Sequence, residues 1–167
     1  MKVKSMILAL CILISGSMKA SENLAGIEAM FIYNFLRLIK WPDGHVSDVF
    51  VIGVYGNSET YDHLVNYTKG KRVGTKSIVV KKINSSKETA NCQVVFVPGA
   101  NRDKVTEIKK HLGNQPCLVV SEQEGMNANG STIEFVLQDN KLKFRVNESR
   151  AKQQNLILSK SLIDMSV

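Results

Sequence analysis

The chain has 167 residues, with 22 Lys and Arg against 15 Asp and Glu, a net charge of +7 at pH 7 and three cysteines. That length holds one ordinary domain with a single core, and three cysteines are too few for a disulfide-built scaffold. His45, His63 and His111 stand apart, with no C-x-x-C or H-x-x-x-H spacing, so no zinc site is written into the chain.

Lys2 and Lys4 precede an apolar run from Met6 to Ile14, and Ser15, Gly16 and Ser17 follow. A charged start, a short apolar run and a small-residue exit are the pattern of a secretory signal peptide. The run is about half the ~20 residues a membrane span needs. Residues 1–20 are therefore expected to be cut off after Ala20, with Ser17 as the alternative. Cys11 follows Leu10 deep in the apolar run, which does not suit a lipoprotein site. Residues 21–167 then form a single exported domain with no membrane span. Cleavage leaves 19 basic and 15 acidic residues, a charge of +4. Export removes nucleic acid as the partner a basic chain would otherwise suggest. Anionic lipids, cell-wall polymers and acidic protein surfaces remain.

Residues 22–41 carry a helical pattern. Ile27, Met30, Phe31, Asn34 and Leu38 share one face, and Ala29, Ile32, Tyr33, Leu36 and Ile39 share another. A helix apolar on two sides must be covered on two sides. The sheet provides one cover. A second copy of the chain provides the other, with Ile27, Met30, Phe31, Tyr33, Phe35 and Leu38 as the self-association residues. The alternative is a helix packed between the sheet and the C-terminal helix. Trp41-Pro42 ends it, because the residue before proline is pushed out of the helical region.

Val49 to Tyr55 is a continuous apolar run, as in a strand buried on both faces. Gly53 to Asn57 then leads into a helix bearing Tyr61, Leu64, Val65 and Tyr67. This glycine turn is either an anion cradle at a helix N-terminus or a plain tight turn. Val73 to Ile83 reads as a strand. Residues 69–87 hold seven basic residues and no acid. Lys71, Arg72, Lys76, Lys81 and Lys82 are accordingly a candidate anion-docking surface, or the lysine protection of an edge strand.

Cys92 to Val97 is a second apolar strand, ended by Pro98-Gly99. The spacing predicts a helix over 101–112 with Asn101 as N-cap, Val105, Ile108 and Leu112 as its buried stripe and Gly113 as its stop. Cys117 to Ser121 is a third apolar strand. Thr132 to Gln138 and Lys141 to Val146 alternate around Asp139-Asn140, a hairpin signature. Helical pattern resumes from Glu148, with Leu158, Leu162 and Met165 facing one way. The repeated strand–helix–strand order predicts an α/β fold: a mixed, largely parallel sheet flanked by helices, with a C-terminal antiparallel hairpin.

No catalytic constellation emerges. There is no G-x-S-x-G, Glu122 and Glu124 sit in a polar loop, and Cys92 or Cys117 with His111 is a weak Cys–His candidate. The expectation is therefore a protein that is not an enzyme and has no cofactor or metal. Cys92 and Cys117 open neighbouring strands, so they are either disulfide-bonded or two buried free thiols. At the strand C-termini, the loops Val54–Asn57, Val97–Asn101 and Ser121–Gly125 are expected to meet.

Several segments together resemble the YfiR family of bacterial periplasmic proteins. Glu28-Ala29-Met30-Phe31-Ile32-Tyr33-Asn34-Phe35 running to Trp41-Pro42 is similar to its aromatic-Asn-Phe…Trp-Pro signature. Phe50 to Val54 resembles its first strand, Gly70-Lys71-Arg72-Val73 its Gly-Lys turn and Asn91 to Val97 its Cys-led strand. The tail matches through Ile133-Glu134-Phe135, Leu142 to Asn147, Ala151, Leu156 and Leu162. The resemblance covers residues 26–165. It departs at Asn129-Gly130 (Gly-Gly in the family), at Met126 (Phe) and at Ser159-Lys160 (paired Ser). The resemblance implies regulation rather than catalysis: restraint of an inner-membrane diguanylate cyclase through its periplasmic portion, with cyclic-di-GMP output rising when restraint is lost. The alternative is an envelope small-ligand-binding protein without a cyclase partner.

Overall fold

The computed structural model describes residues 24–167, so the expected signal peptide and its expected cleavage after Ala20 or Ser17 lie outside the described residues. A seven-stranded sheet runs in the order β3-β4-β2-β5-β6-β7-β8. Its members are β2 (Val49–Tyr55), β3 (Arg72–Val73), β4 (Lys76–Ile83), β5 (Val94–Val97), β6 (Leu118–Ser121), β7 (Ile133–Gln138) and β8 (Lys141–Val146). The five inner strands are mutually parallel, and the edge strands β3 and β8 are antiparallel to their neighbours. This is the expected mixed α/β architecture.

Strand alternation divides the core in two. Val94, Phe96, Leu118 and Val120 face one layer, built on the helix over residues 24–38 (α1), on α2 (Glu59–Thr68) and on the short C-terminal helices. Val95, Val97, Cys117 and Val119 face the other, under α3 (Val105–Leu112). β5 and β6 are buried on both sides, which is why they read as unbroken apolar runs. The chain leaves β2 through α2 toward β4, then crosses to β5 on the other side of β2 and leaves through α3. The sheet thus changes direction between β2 and β5.

Several boundaries differ from expectation for local reasons. Residues 39–40 leave the helix and form β1 (Ile39–Lys40), paired antiparallel with β9 (Ile157–Leu158). Pro42 forbids further helix, and β9 takes up the backbone groups. The lysine-rich segment is a hairpin rather than one strand, turned at Gly74 with φ +60°. Asn101 is not the N-cap of α3. A 3-10 turn from Gly99 to Lys104 precedes the helix, the Asn101 N–H donates to the Pro98 carbonyl at 2.8 Å, and Lys104 stands at the cap. Gly113, with φ +54°, does stop α3. Asp139 and Asn140 both adopt positive φ, as the tight hairpin requires. The C-terminal helical pattern is split: α4 (Glu148–Gln153) ends where Asn155 turns left-handed at φ 54°, β9 follows, and α5 (Lys160–Asp164) resumes.

Gly53 has a packing role. A Cβ there would stand 2.8 Å from Cys92 Sγ and 3.0 Å from Ile83 Cδ1, closer than atoms pack. Gly53→Ala is expected to lower urea-unfolding stability by about 1–3 kcal/mol, and adding Cys92→Ala to recover part of the loss, since it removes the sulfur the new methyl meets.

Candidate functional site

The loops after β2, β5 and β6 meet as expected. Asn57 and Ser58, Pro98 to Ala100, and Glu122 line a crevice of about 350 Å³ at the carboxyl ends of the strands. It lies between β2 and β5, where the sheet changes direction, the position at which open α/β sheets form ligand crevices. Ser58 caps α2, its Oγ accepting from Thr60 N at 3.2 Å. Gly53 to Tyr55 are part of β2, and the connection to α2 is the short bend at Gly56 and Asn57; Gly56 N extends the β2–β4 ladder by donating to the Ile83 carbonyl at 2.8 Å. Glu122 accepts from Gly99 N.

The sequence reading missed the residue at the centre. Glu28 comes from α1, is 3 % exposed, and accepts from Thr60 Oγ1 at 2.7 Å. Burial pushes its carboxyl from 4.5 up to about 8, the Thr60 hydroxyl opposes that shift, and the nearby Glu122 charge adds to it. At neutral pH Glu28 is therefore largely a neutral acid, able to donate as well as accept. A signal was present: Glu28 heads the i, i+4, i+7, i+11 series through Ile32, Phe35 and Ile39, all buried. With Glu59 also on the wall, the crevice is lined by carboxyl groups, which suits a ligand bearing amine or hydroxyl donors.

A second, larger concavity of about 920 Å³ opens at the other end of the sheet. Trp41, Pro42, Pro116, Leu156, Ile157 and Ile163 form much of its wall, and Lys40, Asp43, Glu148 and Lys152 its charged rim. Ile157 is 63 % exposed. Trp41 is buried against Phe50, ring centroids 5.3 Å apart, and its indole Nε1 has no acceptor.

The other expected site residues fall differently. Phe35 is buried, and Phe31 and Leu38 pack against the same core. Tyr33 lies edge-on to Tyr67, and Ile27 is half-buried. Of the six proposed self-association residues only Met30 is classed as exposed. The side of α1 that bears Ala29, Ile32, Phe35 and Leu36 is buried within the chain, while Met30 stays exposed and Phe31, Leu38 and Met165 border a small open groove.

The five basic residues do not gather into one patch. Lys71 Nζ sits 3.1 Å from the Tyr67 ring centroid, and Lys82 Nζ 4.7 Å from that of Tyr61. Arg72 donates to the Thr75 carbonyl, and Lys76 donates to the Val46 carbonyl at 2.7 Å. Strand alternation sends Lys81 to the face opposite Lys76 and Lys82.

Cys92 and Cys117 are free and buried, so the bridge is not formed. β5 and β6 are parallel neighbours, but their register pairs Val94 with Leu118, which sets Cys117 opposite residue 93 and leaves Cys92 one position away. Adjacent parallel strands rarely offer the convergent Cβ vectors a disulfide requires. Burial pushes both thiols up. Among the described residues no group of His, Cys, Asp or Glu is arranged to hold a metal, and no helix is long and apolar enough to cross a membrane.

The sequence model of the YfiR/HmsC-like family matches residues 25–167. No curated protein matches the chain. Among solved structures, the chain is similar to the ABC domain in complex with L-Trp from Streptococcus pneumonia. The TM-score is 0.51 at 10 % identity, over 70 % of this chain and 54 % of that one. The chain thus spans about half of that structure, and the likeness concerns the fold alone.

The Glu28 proton sets a pH dependence. Between 4.5 and about 8 the folded protein holds a proton that the unfolded chain has released, so stability falls as pH rises through that window, by up to about 1.4 kcal/mol per pH unit. Thermal unfolding of wild type and Glu28→Gln at pH 5, 7 and 9 checks this: the substitution is expected to flatten the profile and to stabilise at pH 9.

Proposed function

The chain belongs to the YfiR/HmsC-like family, and from that premise we propose that it is an exported, periplasmic regulatory protein. It binds and represses an inner-membrane signalling protein of the diguanylate cyclase type, and cyclic-di-GMP output rises when the restraint is lost. The observation that supports the reading is the groove around β1 and β9. Its apolar wall of Trp41, Pro42, Leu156 and Ile163, with Ile157 raised on it and charges at the rim, is the composition of a protein-docking surface. The partner's periplasmic portion is the occupant this reading assigns to it.

Ile157 is exposed, so Ile157→Asp is expected to change stability by less than about 0.5 kcal/mol. It is expected to weaken co-purification of the membrane partner by roughly tenfold or more and to raise cyclic-di-GMP toward the level of a gene deletion. A deletion that leaves cyclic-di-GMP unchanged under every envelope stress tried would sink the reading.

A second reading is favoured by the buried Glu28: an envelope small-ligand-binding protein whose ligand brings amine or hydroxyl donors to Glu28 and Glu122. Under it, thermal-shift screening against amino acids, nucleotides and cell-wall fragments is expected to give a hit that Glu122→Gln weakens. Silence across the screen rejects it.

A further inference from the structure

Arg150 stands on α4 and is 5 % exposed, yet its buried Nε and Nη2 have no hydrogen-bond partner. A guanidinium taken out of water without an acceptor is among the costliest arrangements a fold can carry. Its surroundings do not relieve that cost. Gln154, one turn on, spends its own amide on the Gln115 and Cys117 carbonyls and accepts from Thr132 Oγ1. Cys117 lies near enough for its charge state to affect Arg150, but burial keeps that thiol protonated. The last turn of α3 brings partial negative charge nearby, without an acceptor for either nitrogen.

The same side chain lines a cavity of about 560 Å³ together with Lys109, Lys110, Thr106, Asn114 and Gln153. No carboxylate is among its lining residues. Neither lysine is in an ion pair among the described residues. Lys109 is held in place from behind: a Cβ on Gly130 would fall within 3 Å of its Cβ, Cγ and Cδ. Three cations and three neutral polar groups thus surround a space that no carboxylate among the described residues lines. Nε and Nη2 form the side edge of a guanidinium, the edge that grips two oxygens of one planar or tetrahedral anion.

We propose that this cavity is a binding site for a small oxyanion, a phosphate or carboxylate group, held by the side edge of Arg150 and neutralised by Lys109 and Lys110. Thr106, Asn114 and Gln153 supply further donors. Engaging the edge takes a rotation of the guanidinium toward the cavity it already borders. The site is separate from both the Glu28 crevice and the Trp41 groove, and it does not depend on the regulatory reading.

The test is calorimetric titration and thermal unfolding of the mature protein with inorganic phosphate and, separately, with acetate, each against sodium chloride at equal ionic strength. At least one of the two anions is expected to bind and to raise the unfolding temperature beyond the chloride control. Arg150→Met replaces an unpaired buried charge with an apolar side chain of similar reach, so the variant is expected to fold at least as well as wild type. It is expected to lose binding by roughly tenfold or more. Lys109→Met, which leaves Arg150 in place, is expected to weaken binding by a smaller factor. Equal responses in wild type and Arg150→Met, or no response beyond chloride to either anion, would overturn the proposal.

Discussion

The packing of α1 across the parallel sheet is the constraint on which both ends of the molecule depend. Phe31 and Phe35 meet Phe135 and Phe144 in a cluster of rings with centroids 5.1–6.1 Å apart, and Phe96 joins it from β5. Those contacts fix the helix axially and in rotation, because aromatic side chains fill most of the space between helix and sheet. The helix runs against the strand direction. Glu28 is thereby set at the carboxyl ends of the strands, beside Thr60 and Glu122, while Trp41 is set at the opposite end against Phe50. One rigid element places the charged centre of the crevice and the floor of the groove.

The second structural theme is how buried polar groups are satisfied. Gln154 is fully buried and ties α4 to Thr132 and to the Cys117 carbonyl, so the C-terminal segment is anchored to the entry of β6 and β7. Glu134 is buried as well, but it accepts from Asn127 N at 2.8 Å and faces Arg145. These are complete arrangements, and they read as structure. Glu28 has one donor, and Nε and Nη2 of Arg150 have no acceptor. Buried polar groups in native proteins are paired as a rule, and these two incomplete groups each border a cavity. They also divide the surface electrically: carboxyls line the crevice at the carboxyl ends of the strands, and cations line the cavity at the end of α3.

Much of the fold was legible because it rests on short-range patterns. The apolar runs of β2, β5 and β6, the Asp139-Asn140 turn and the Gly113 stop each follow from residue types next to one another. The meeting of three loops at the strand ends followed from the parallel topology alone. What was not legible shares a cause. What packs against α1, which tyrosine rings Lys71 and Lys82 lie over, and whether two cysteines meet across β5 and β6 all depend on what lies beside a residue in space. Residue spacing does not report that. Glu28 and Arg150 were also passed over, although each sits in register with buried positions. A charge on an apolar stripe looks like noise until the stripe is seen to be sealed.

The sequence by itself determined the class of fold, the order of its elements and the family resemblance, because these rest on periodicity and turn chemistry that act between neighbours in the chain. Tertiary structure alone decided the register of β5 against β6, the cover over α1 and the desolvation of Glu28 and Arg150. Those depend on the summed geometry of packed elements, and a carboxyl or guanidinium changes its character only when water is actually removed from around it.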